Sequence, residues 1–130
     1  MKFLVPIGRL LFSLIFLMTI MSHFKKEAVD YAASQGVPLA SFLVPFSAVI
    51  AFAGGLSITL GFKTKAGAIL IILFLLPVTF YMHAFWKETD PMKMQMQVGN
   101  FLKNISLLGA AILICWFGAG PISLDEKKQE

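Results

Sequence analysis

The chain has 130 residues, of which 58% are apolar and 14% charged, with a net charge of +4. An average soluble domain is about a quarter charged, and one of this length leaves about a third of its surface in water. These proportions exclude an ordinary soluble enzyme, a disordered chain and a disulfide-stapled module, and they leave a small integral membrane protein.

The basic residues fall in ones and twos between apolar runs, so the positive charge reads as membrane topology and no nucleic-acid partner is expected. The single cysteine, Cys115, excludes an intrachain disulfide, a CxxC redox pair and an all-cysteine metal site.

A helix needs about 20 predominantly apolar residues to cross a bilayer, and four stretches qualify. The first covers about residues 5–24, with Pro6 in its first turn, where a missing N–H costs nothing. Its apolar core is longer than that of a signal peptide and no A-x-A site follows, so it is expected to be retained. Arg9 is expected to snorkel to anionic lipid, the alternative being an inward pocket shared with Ser13.

Residues 25–35 predict a short helix, stopped by Gly36 and Pro38. Ala28, Tyr31, Ala32 and Gln35 share one face, which suits an interfacial helix or a cap over the bundle mouth. The second span covers about residues 40–60, where Ser47, Ala51 and Gly55 follow a small-xxx-small spacing beside Gly54. The turn at 61–65 is short enough to make spans two and three antiparallel neighbours.

The third span covers about residues 66–84 and contains Pro77, whose missing N–H frees a backbone carbonyl. Asp90 followed by Pro91 is a helix start, so the fourth helix is expected to begin there and to cross the membrane over about residues 98–117. Met92, Met94 and Met96 do not share one helical face, which favours interfacial packing over a copper site. Cys115 reads as a small apolar filler. The tail from Ile122 onward is expected to be solvated.

The fold class expected is therefore all-α: an integral membrane four-helix bundle, one domain over residues 1–130, with a short interfacial helix between spans one and two. An even number of spans puts both termini on one side. Lys63 and Lys65, in a turn without acids, mark that side as cytoplasmic.

Polar side chains inside spans face the bundle or the interface. Thr19, Ser22 and His23 end the first span, and Thr79, Tyr81, His83 and Trp86 end the third. Gln97, Asn100, Lys103 and Asn104 begin the fourth. Three helices thus bring polar groups to one depth, and the candidate ligand-binding mouth is His83, Lys103, Asn104, Asn100, Trp86, His23 and Tyr81. Each also has a plainer role: His23 and His83 at the headgroup level, Tyr81 and Trp86 as belt anchors, Lys103 snorkelling, and Asn104 bonding between helices. No catalytic residue and no metal site is identified.

GRLLFSLIFLMTIMSHF at residues 8–24, QGVP at 35–38, AGGLSITLGFKTKAGA at 53–68, HAFW at 83–86, FLKNISLLGAAIL at 101–113 and GPISLD at 120–125 together resemble the DoxX family. That resemblance implies a small four-span membrane protein and marks His83, Trp86, Lys103 and Asn104 as family-pattern residues. It also implies an accessory or anchoring subunit of a redox system, quinone-linked or concerned with thiol and oxidative stress. Many relatives of that family carry an acid where this chain has Ala51, which argues against proton or cation chemistry there.

The partners expected are the lipid bilayer, a membrane or peripheral redox enzyme and a second copy of the chain. Quinone is the one small molecule expected, and no covalently bound cofactor. The alternatives are a non-catalytic scaffold or assembly factor and a small-molecule or lipid transporter. The location expected is the inner, cytoplasmic membrane.

Overall fold

The computed structural model describes residues 1–129. The elements in chain order are α1 (Leu4–His23), α2 (Lys26–Ser34), α3 (Ala40–Leu60), α4 (Thr64–Met82), a 3-10 turn (Phe85–Lys87), α5 (Pro91–Phe117) and α6 (Leu124–Lys127), with no strand among the described residues. Four segments are long and apolar enough to span a membrane: α1, α3, α4 with its 3-10 turn, and α5.

Local chemistry sets the boundaries. Asp90 caps α5 by accepting the Met92 N–H at 3.0 Å, and Pro91 occupies the first turn. Gly36, at φ +89, ends the α2 segment in a left-handed conformation. Gly61 ends α3 at φ +66, with its N–H on the Ile58 carbonyl and the Phe62 N–H on the Ser57 carbonyl, the paired bonds of a Schellman motif.

The close packings follow chain order: α1 on α3, α3 on α4, and α4 on α5. The outer pair, α1 and α5, does not pack comparably, and α2 lies across α3 and touches α1. A shared core joins Phe16 of α1, Ala51 and Ile58 of α3, Ile71 and Phe74 of α4, and Ala111 of α5. Small residues set the helix separations. A Cβ on Gly54 would lie 2.9 Å from the Gly67 carbonyl oxygen, so α3 and α4 meet backbone to backbone. A Cβ on Gly55 would lie 3.2 Å from the Phe16 Cβ, which brings α1 against the same stretch of α3.

Two expectations about the chain ends are corrected. Arg9 does not snorkel: it is buried, and its Nη1 and Nη2 donate to the carbonyls of Ala119 and Ile122. The tail is not simply solvated either. The Asp125 N–H donates to the Gly61 carbonyl at 2.7 Å, and the Asp125 carboxylate accepts the Lys63 and Thr64 N–H groups at 2.7 and 2.9 Å. An anion at the first turn of α4 meets N–H groups that have no intrahelical partner. Ile122 adopts φ +55, a left-handed conformation disfavoured for a β-branched residue, while its N–H donates to Glu126 Oε2.

Candidate functional site

At the end of the bundle covered by α2, two arrangements lie side by side. One is a polar latch. His83, just past α4, shares a 2.8 Å hydrogen bond between its Nδ1 and Gln97 Oε1 on α5. Gln97 Nε2 donates to the Tyr31 hydroxyl on α2 at 2.8 Å and to the Met82 carbonyl at 3.2 Å. Tyr31 in turn donates to the Met82 carbonyl at 3.3 Å. The amide therefore spends both of its hydrogens, and its oxygen takes the hydrogen on Nδ1. One side chain ties the α2 cap to the ends of α4 and α5.

The other is a half-enclosed cavity of about 370 Å³ beneath α2. Ala28 and Ala32 roof it, and Val44, Ile50, Phe74 and Val78 form much of its wall. Its polar contributors are Ser22 and His23 from α1, Ser47 from α3 and Tyr81 from α4. Phe46, Leu73 and Tyr81 are lining residues that are also exposed on the outside of the bundle, so part of the cavity wall reaches its surface. The His23 ring stands against Phe74, with centroids 6.0 Å apart, and its Nδ1 bonds the Thr19 carbonyl at 3.1 Å.

The residues singled out from the sequence divide between these surroundings. His23 and Tyr81 line the cavity. His83 belongs to the latch. Trp86 is exposed and packs edge-on against Phe85 and Phe101. Lys103 is exposed on α5, Asn100 is half-buried, and Asn104 is buried on the same face of α5 as Gln97. None of Asn100, Lys103 and Asn104 lines the cavity. The seven residues thus fall in different surroundings: His23 and Tyr81 at the cavity, His83 in the latch, and Trp86, Asn100, Lys103 and Asn104 in neither.

Tyr31 and Gln97 were not among those candidates. Gln97 carried a signal in sharing a face with residues 100 and 104. Tyr31 carried only its place on the α2 face. Among the described residues no group of three or more His, Cys, Asp or Glu is placed to hold a metal ion.

A model of the SURF4 family matches residues 1–130. The inner membrane protein YphA of Escherichia coli (strain K12) is 33% identical over 76% of this chain and 70% of its own length. The inner membrane protein YqjF of the same organism is 31% identical over 74% of this chain and 68% of its own. The ER-derived vesicles protein ERV29 of Saccharomyces cerevisiae is 30% identical over 65% of this chain but only 27% of its own length. No solved structure matches. These findings overturn the DoxX resemblance, whose residue strings are short and mostly apolar. The expectation of a redox subunit rested on that resemblance and is left without support.

Proposed function

This chain belongs to the SURF4 family, and we propose that it is a non-catalytic membrane protein that holds a bilayer-derived ligand in the cavity beneath α2. The observation that carries this reading is the cavity itself. Its volume of about 370 Å³ falls in the range of small-molecule sites, which are mostly apolar with a few placed polar groups. Its walls combine that chemistry with apolar lining residues, Phe46 and Leu73, that are exposed on the flanks of spanning helices. The names of YphA and YqjF support a place in the inner membrane, and Lys63 and Lys65 support cytoplasmic termini.

The test is lipid retention. The protein is purified in mild detergent and its bound small molecules are weighed by native mass spectrometry, beside an Ala28→Phe variant that fills the roof of the cavity. The wild type is expected to carry a lipid adduct that the variant loses while unfolding at a similar temperature. Equal adducts on both proteins, or none on either, overturn the reading. A scaffold needs no such adduct, so the same experiment separates the two.

A further inference from the structure

We propose that the cavity selects an uncharged amphiphile that donates a hydrogen bond, such as a long-chain alcohol, over one that carries a phosphate. This rests on the binding role proposed above and names its ligand class.

Among the described residues no Lys, Arg, Asp or Glu lines the cavity. An anionic head would enter an apolar wall with no countercharge, and an unpaired ion costs far more to bury than a hydroxyl. The hydrogen-bond inventory points the same way. The Ser22 hydroxyl donates to the Thr19 carbonyl at 3.0 Å, and the Ser47 hydroxyl donates to the Val44 carbonyl at 2.7 Å. Each has spent its one hydrogen on its own helix and keeps acceptor capacity.

His23 Nδ1 lies 3.1 Å from the Thr19 carbonyl, which can only accept, and 3.2 Å from the Ser22 hydroxyl, whose hydrogen goes to that same carbonyl; with Nδ1 carrying the ring hydrogen, Nε2 of the neutral ring is an acceptor. Pro77 has no N–H, so the Leu73 carbonyl four residues earlier lacks its helical donor. Both Leu73 and Pro77 line the cavity. The polar lining thus presents acceptors from α1, α3 and α4, and the Tyr81 hydroxyl is the remaining side-chain donor. A ligand that brings a hydrogen of its own completes this set. A phosphate brings more acceptors.

The test uses two photoreactive probes with the same diazirine-bearing chain, a long-chain alcohol and its phosphate monoester, on the purified full chain in nanodiscs. The alcohol is expected to label the lining residues of α3 and α4 about tenfold or more above the ester, the ester's charge having no partner in the cavity. His23→Leu, which removes one acceptor, is expected to lower alcohol labelling about 3- to 10-fold, with recovery in His23→Gln. Ser47→Ala gives a smaller loss in the same direction, and it carries the test if His23→Leu does not fold.

Ester labelling equal to that of the alcohol overturns the selectivity and leaves ligand binding standing. Undiminished alcohol labelling in both His23→Leu and Ser47→Ala overturns its hydrogen-bond basis. Labelling by neither probe above the level of Ala28→Phe overturns the binding role as well.

Discussion

Arg9 and Ala119, 110 positions apart in the chain, are joined by a 2.9 Å hydrogen bond from the guanidinium Nη1 to the carbonyl. The same guanidinium reaches the Ile122 carbonyl, and a Cβ on Gly61 would lie 2.6 Å from Nη1. The first span, the α3–α4 turn and the end of the chain therefore meet around one buried cation. Carbonyl dipoles replace part of the water that Arg9 gives up, at Nη1 and Nη2, while its buried Nε has no partner among the described residues.

Replacing Arg9 by Met keeps the volume and removes the donors. The Ala119 and Ile122 carbonyls then lose their charged partner. A loss of about 2–3 kcal/mol is expected, read as a lower unfolding temperature in detergent together with faster tryptic cleavage after Lys127.

The Asp125 contact predicts a pH dependence. Partial desolvation pushes its carboxyl upward, but the Thr64 and Lys63 N–H groups and the Lys128 charge outweigh this, so it titrates below its ordinary value of 3.8. A depressed folded-state value means that the charged form is the docked one. Its contribution is complete above the ordinary value and is lost as pH falls through the lower, folded-state one. The Lys63 amide resonance is expected to titrate in that acid range, and Asp125→Asn is expected to remove the titration and expose the tail to trypsin at neutral pH.

Two glycines predict opposite outcomes. Gly54→Ala places a methyl 2.9 Å from the Gly67 carbonyl and 3.0 Å from the Ile71 side chain, so α3 and α4 must separate. A cost of about 1–3 kcal/mol is expected. Gly109→Ala meets nothing within 4 Å and is expected to gain about 0.5–1 kcal/mol from helix propensity alone. Unfolding both variants in the same detergent checks the pair.

Gln97→Leu removes the centre of the latch and leaves Tyr31 bonded to Met82 alone. Amide hydrogen exchange in α2 is expected to rise several-fold, with little change in α3 or α4. Tyr31→Phe should do at least as much, because it removes both bonds by which α2 joins the latch, and the bonds Gln97 keeps, to His83 and the Met82 carbonyl, do not reach α2. Unchanged exchange in α2 for Gln97→Leu would show that α2 is held by apolar packing instead.

The helices themselves were legible from local pattern. Apolar runs long enough for a bilayer, the Asp90–Pro91 start and the Gly36 and Pro38 stop are all written within a few residues of where they act. The small residues on the second span also announced a close helix contact, which Gly54 and Gly55 make. The family did not emerge correctly, because apolar strings in a membrane chain are shared widely and discriminate poorly.

The amino-acid order alone determined that this chain must place four helices in lipid with a short helix between the first two, since burial of backbone polar groups in hydrocarbon allows little else. Only the tertiary structure decided how each helix is rotated. In α3 and α4 nearly every side is apolar, so no periodicity says which face is inward. It also decided that Arg9 meets the far end of the chain, that Gln97 takes both Tyr31 and His83, and that Lys103 faces outward. Contacts between residues far apart in sequence depend on packing across the whole bundle, and no local pattern encodes them.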